Sequence, residues 1–199
     1  MTPNTRSARL GLRLTDKEGI ALVGKNLILE VPVHIDMIAQ ARIMSEEMGI
    51  IKNSIMQGGG NIYGFLGELL VAEYLKVPLK HSYDYDMELI NGQTVDVKTK
   101  STNWTPKLEY DCSIAAFNIK QRCDYYFFCR VKKDMTVGWL LGYMPKKEYF
   151  DKAMKIKKGD LDPANNFTAK SDMYNIKIDA LYEPEALLKI VLDSKANKL

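Results

Sequence analysis

Histidine is almost missing from this chain: only His34 and His81 occur, far apart in sequence. That scarcity leaves no material for a histidine-built metal cage or for a Ser-His or Cys-His nucleophile pair. Cysteine is also sparse. Cys112, Cys123 and Cys129 are odd in number and show no Cys-x-x-Cys spacing, which argues against a disulfide framework or a zinc knuckle and leaves reduced, mostly buried thiols as the expectation. No apolar run approaches the roughly 18 residues that span a bilayer, and the opening MTPNTRSARLGLRL lacks the apolar stretch of a secretory signal. A soluble, cytoplasmic protein with no membrane partner is expected. Any hydrolytic chemistry must rest on carboxylates and lysines.

What is present suits a globular domain. With 199 residues and 46% apolar content, the chain can bury one sizeable core but not two generous ones. Residues 1–25 mix charge and short apolar pieces without periodicity, and read as a loosely ordered lead-in to a single domain over 26–199. The net charge of +3 and pI near 8.6 permit nucleic-acid binding without demanding it.

Along the chain, NLILEVPV (26–33) predicts a strand, with Pro32 pointing to a sheet edge or a strand end. Asp36 is placed to cap a helix carrying Ile38, Ala41, Met44 and Met48, which Gly49 ends. The glycines at 58–60 read as a hinge before a helix from Asn61 through Leu75, because the Gly-x4-Gly-Lys-Ser/Thr phosphate loop is absent. Residues 113–122 predict a short helix with Ile114 and Phe117 inward. DYYFFCRV (124–131) is a nearly continuous apolar run, the pattern of a strand covered on both faces. GWLLGY (138–143) predicts another strand, Pro145 opens a helix, residues 172–181 alternate as a strand, and a last helix follows Pro184. The fold class implied is α/β, a mixed central β-sheet flanked by helices.

The segment YDYDMELINGQTVDVKTK (83–100) alternates on both sides of Asn91-Gly92, a hairpin signal. If Asn91–Gln93 stay outside the pairing, Leu89 faces Val95 and Met87 faces Val97, and the apolar side chains share one face. The other face then collects Asp86, Glu88, Asp96 and Lys98, with Asp86 across from Lys98. Asp84 has the same parity and stays an alternative to Asp86. On the preceding helix, Glu68 projects from a surface of Gly64, Phe65, Val71 and Ala72, and an acid so placed calls for a charged partner or a metal.

Glu68 on a helix, Asp86 on the first strand of a hairpin, and Asp96-Val97-Lys98 on its second strand together resemble the PD-(D/E)xK nuclease superfamily in order, element type and spacing, over roughly residues 61–144. Tyr85 stands where that pattern has proline, and Asp96 where glutamate is more frequent. The resemblance implies a restriction-endonuclease-like core and a metal-dependent DNA endonuclease of the restriction, repair or junction-resolving kind. It implies that Mg²⁺ or Mn²⁺ is held by Asp86, Asp96 and the Val97 carbonyl, with Glu68 completing the shell directly or through water. It also makes a homodimer, one site per strand, a reasonable assembly. Such chemistry needs these residue types: hard oxygens select Mg²⁺ or Mn²⁺, and hydrolysis needs a hydroxide near neutral pH and a counter to phosphate charge. Lys98, on the same strand face as Asp96, would orient the attacking water and offset phosphate charge. For DNA contact the candidates are Lys100, Lys107 and Trp104 beyond the site, and Lys146 and Lys147 at the head of a stretch with six lysines between 146 and 158. Two other classes remain: a non-catalytic DNA-binding or assembly protein on the same fold, and a phosphotransfer enzyme built on the glycines at 58–60.

Overall fold

The apolar run Tyr125–Lys132 forms a central strand, because a strand that is apolar on both faces is satisfied only between two packed layers. The computed structural model describes residues 28–48, 61–80, 82–162 and 167–197. In chain order these form β1 (Leu29–Pro32), α1 (Ile35–Met48), α2 (Asn61–Leu75), β2 (Met87–Glu88), β3 (Thr94–Thr102), β4 (Asp111–Ala115), β5 (Tyr125–Lys132), β6 (Val137–Pro145), α3 (Lys146–Lys152), β7 (Met154–Ile156), β8 (Leu161–Asp162), β9 (Phe167–Thr168), β10 (Met173–Lys177) and α4 (Pro184–Ala196). The main sheet runs β1-β6-β5-β3-β2. Only β3 and β5 pair in parallel; the other neighbours are antiparallel.

One face of this sheet, carrying Val95, Val97, Phe127, Cys129 and Val131, packs against α2, with α4 beside it against β6 and α1 behind α2. The other face, carrying Tyr126, Phe128, Trp139 and Leu141, packs against Tyr149 of α3 and against Ile114 and Ile176. Those last two belong to a second sheet, β4-β10-β7. The α/β class with a mixed sheet and flanking helices is therefore observed. The second sheet and the β8-β9 ribbon are additions to the single sheet expected from the sequence.

Other expectations move in detail. The segment expected as a helix over 113–122 is instead strand β4 followed by a 3₁₀ turn, Ala116–Lys120. Ile114 is buried as expected, but opposite Tyr174 of β10, while Phe117 is exposed. Pairing with a strand some sixty residues downstream overrides the local pattern. Asp36 lies inside the first turn of α1 rather than capping it. β1 is an edge strand, as Pro32 suggested. The lead-in over 1–25 and the glycines at 58–60 lie outside the described residues. Among the described residues no helix is long and apolar enough to cross a membrane.

Helix α2 fixes the site. It is apolar nearly all round, burying Phe65, Leu66, Leu69, Leu70, Val71 and Leu75 between the sheet and the outer helices, each worth about 1.5–3 kcal/mol. Its close approach to β3 depends on Gly67, where an added Cβ would lie 1.8 Å from Thr99 Oγ1. Gly67→Ala is expected to cost about 1–3 kcal/mol by forcing the helix off the sheet. Gly64→Ala has open space and should gain up to about 1 kcal/mol from helix propensity. Denaturant melts of the two variants would show this opposite sign, and equal effects would contradict the packing described.

Candidate active site

The hairpin closes on Leu89 and Gln93: the Gln93 carbonyl accepts from the Leu89 amide at 2.7 Å, and Gly92 donates to the Leu89 carbonyl at 2.9 Å. Ile90, Asn91 and Gly92 therefore form the loop, one residue earlier than the Asn91–Gln93 loop expected from the sequence. The cause is Gly92, whose φ of 85° suits the left-handed last position of a three-residue hairpin loop. The Asn91 carboxamide accepts the Gln93 amide and locks it. The register becomes Met87↔Val95 and Glu88↔Thr94, a shift of two, so the faces survive but the partners change. Met87, Leu89, Val95 and Val97 do share the core face.

Two acids change role as a result. Asp86 sits beside Val95–Val97 rather than across from Lys98: its amide donates to the Val95 carbonyl at 3.0 Å, and its Oδ2 accepts from the Val97 amide at 2.7 Å. Glu88 leaves the cluster and pairs with Lys80. Asp84 also lies elsewhere, accepting the Arg122 amide at 3.1 Å. Of the two candidates for the first acid, the cluster contains Asp86.

Asp96 is only 4% exposed. Its Oδ2 is ion-paired with Lys98 Nζ at 2.5 Å. Glu68, from α2, completes the group. Burial pushes its carboxyl up to about 8, with the charges of Asp86 and Asp96 adding and Lys98 opposing. Asp86 is pushed up to about 7 by burial and Asp96, against the Val97 hydrogen bond and Lys98. Asp96 is raised as well, by burial first, despite Lys98, Gln121 and Lys146. Three acids are therefore crowded together in a poorly hydrated place, with Lys98 the cation that acts on all of them.

A residue outside the sequence expectations joins them. Gln121 donates from Nε2 to Asp96 Oδ1 at 3.1 Å and accepts from Lys98 Nζ at 3.0 Å, so one carboxamide sets both. It can do so because β3 and β5 are parallel: the chain must cross over before β5 begins, which returns residues 121–124 to the end of β3 where Asp96 lies. The crossover is pinned there by Asp124, whose Oδ2 accepts the Thr94 amide at 2.8 Å. Lys146, expected on a DNA-facing surface, spends its ammonium on the carbonyls of Ile119 (2.8 Å) and Gln121, and so braces Gln121. Lys147 is exposed, Trp104 is 74% exposed, and Lys107 lies near Glu109 in solvent. Lys100 extends the row of Asp96 and Lys98 along the same strand face. Nothing distinguishes Gln121 in the sequence except its place just before the buried strand.

The donor set fits a hard divalent cation in part. Among the described residues no three His, Cys, Asp or Glu side chains converge as a ready metal cage. A cation here would rest on the two aspartates, a backbone carbonyl and water, with Glu68 alongside. The Val97 amide points away from β5, toward Asp86. Because N–H and C=O of one strand residue leave on the same side, the Val97 carbonyl also faces the Asp86 side, as a ligand there must. Cys112, Cys123 and Cys129 are free and buried, and burial pushes each up to about 12.

The raised acids give a pH signature. In the folded protein Glu68 and Asp86 hold protons that the unfolded chain releases in the ordinary carboxylate range, so their contribution to folding stability is fully present below about pH 4 and is lost as pH rises toward 8. Thermal melts in EDTA should show Tm dropping across that window, with Glu68→Gln and Asp86→Asn flattening the drop and Mg²⁺ reversing it. A Tm that rises from pH 5 to 8 in EDTA would contradict the electrostatics described.

Compared with known proteins, the chain matches no family model and no curated protein.

Proposed function

We propose that this protein is a divalent-metal-dependent deoxyribonuclease with a restriction-endonuclease-like core of the PD-(D/E)xK kind. The observation that carries the reading is Asp96: a carboxylate almost fully buried on a core strand, under the charges of Asp86, Glu68 and Lys98. An apolar replacement would be cheaper for stability alone. Such a cluster is accounted for by a cation that the fold is built to receive.

Asp86 and Asp96 would hold Mg²⁺ or Mn²⁺ with the Val97 carbonyl, and Glu68 directly or through water. The ion, when bound, would polarise the phosphate and lower the pKa of a coordinated water. Lys98, kept in place by Asp96 and Gln121, would position the attacking water and offset charge on the phosphate. Gln121 is a positioning residue acting through both. DNA would lie along the row of Lys98 and Lys100 toward Trp104, Lys107 and Lys147, with phosphates met by the lysines and the exposed indole stacking on a base or sugar. Cutting both strands of a duplex would take a homodimer. The three reduced thiols suit a cytoplasmic setting.

Cleavage of supercoiled, linear, single-stranded and four-way-junction DNA with Mg²⁺, Mn²⁺ or EDTA tests this. Metal-dependent cutting is expected, with Asp96→Asn and Lys98→Met reducing the rate by roughly 10³-fold or more, as loss of charge stabilisation does elsewhere. Gln121→Ala should cost about 10–100-fold, the usual effect of a residue that orients ligands. No cutting of any substrate, or variants as active as the wild type, would overturn the reading in favour of a non-catalytic DNA-binding protein.

A further inference from the structure

Past Asp96 and Lys98, the same face of the main sheet opens into a pocket of about 280 Å³ between β3, β5 and β4. Its lining includes Lys98, Lys100, Arg130, Asp111 and Ser113. Lys100 and Arg130 are register partners on parallel strands, so two cations are set side by side. Arg130 is 7% exposed. A cation so withdrawn from water is costly without an anion beside it. Yet among the described residues no carboxylate lies at ion-pair distance from Arg130 or Lys100. Asp111 gives Arg130 its backbone carbonyl (3.1 Å), while its carboxylate, which together with Asp162 attracts Lys100 from beyond that distance, is paired with Lys177 (3.1 Å).

The guanidinium is nevertheless fixed. One nitrogen donates to Asp111, and the group sits 5.2 Å from the centre of the Tyr110 ring. The other N–H donors of its planar fork stay available, next to the Lys100 side chain on the neighbouring strand. This is a preformed arrangement for a tetrahedral oxyanion: a rigid fork beside a point charge. Lys100 follows Lys98 by two residues on one strand, about 6.6 Å along β3, so an anion here would lie one short step from the candidate cleavage site.

We propose that the Lys100–Arg130 end of this pocket, which adjoins the metal centre at Val97 and Lys98, is a phosphate-binding subsite that holds a phosphate group of the nucleic-acid strand beside the one to be cut. The proposal takes the identity of the strand from the nuclease reading, but the binding of phosphate by this pocket does not require cleavage. The phosphate is either internal to the strand or a 5′-terminal monoester, and the same pocket chemistry serves both.

The test is fluorescence anisotropy of a short single-stranded oligonucleotide, with a 5′-phosphate or a 5′-hydroxyl, in EDTA so that nothing is cut, with inorganic phosphate as competitor. Lys100→Gln and Arg130→Gln are each expected to weaken binding by about tenfold, the loss of one charge-assisted hydrogen bond, to lower the salt dependence by about one phosphate contact, and to blunt competition by inorganic phosphate. A preference for the 5′-phosphate that vanishes in the variants supports a terminal phosphate; equal weakening of both oligonucleotides supports an internal one. Because Lys100 is exposed, its variant should fold even if the Arg130 variant does not. Folded Lys100→Gln that binds both oligonucleotides, and responds to inorganic phosphate, as the wild type does overturns the proposal. Failure of the nuclease reading looks different: the wild type cuts nothing with metal, while the Lys100 effect in EDTA stands.

Discussion

Three carboxyl groups, from Glu68, Asp86 and Asp96, are gathered near the ammonium of Lys98 in a place with little water, and this crowding of acids is the constraint on which the surrounding structure depends. Each acid reaches the cluster by a different route: an apolar helix pressed onto the sheet at Gly67, the approach to a two-residue strand, and the middle of a core strand. None of these elements could shift without moving a carboxylate. The raised titration of Glu68 and Asp86 measures the cost of gathering them, and stability alone gives no reason to bear it.

Strand β3 divides the work by its two periodicities. Side chains alternate between faces, so Val95 and Val97 enter the apolar core under α2 while Asp96, Lys98 and Lys100 line the opposite face. Backbone groups alternate between edges, so Thr94 turns its carbonyl to Asp124, before β5, while the Val95 carbonyl and Val97 amide turn to Asp86. One strand thus supplies the core, the acid and lysine of the site, and one wall of the basic pocket. The parallel pairing of β3 with β5 adds the last part, since the crossover it demands delivers Gln121 to Asp96 and Lys98.

Local pattern made much of this legible in the sequence. Alternation in 83–100 assigned the faces of the hairpin, the apolar run at 124–131 identified the buried strand, and the apolar and small neighbours of Glu68 on its helix marked that acid. What escaped was set by non-local pairing. The hairpin register turned on the backbone angle of Gly92, and a shift of two moved Asp86 from Lys98 to Val97 and released Glu88 to Lys80. The strand character of 111–115 came from β10, and the role of Lys146 as a brace from the carbonyls of a distant turn. Gln121 carries no charge and follows no spacing rule, so only the topology of the sheet brings it to the site.

If the carboxylate cluster exists to receive a cation, titration of the metal-free protein with Mn²⁺ near pH 7, followed calorimetrically in buffers of different ionisation enthalpy, tests it most directly. The account predicts saturable binding of one ion or more per chain with release of protons, since Glu68 and Asp86 give up protons retained without metal, and loss of that binding in Asp96→Asn. Binding that is absent, or unaltered in folded Asp96→Asn, would contradict it.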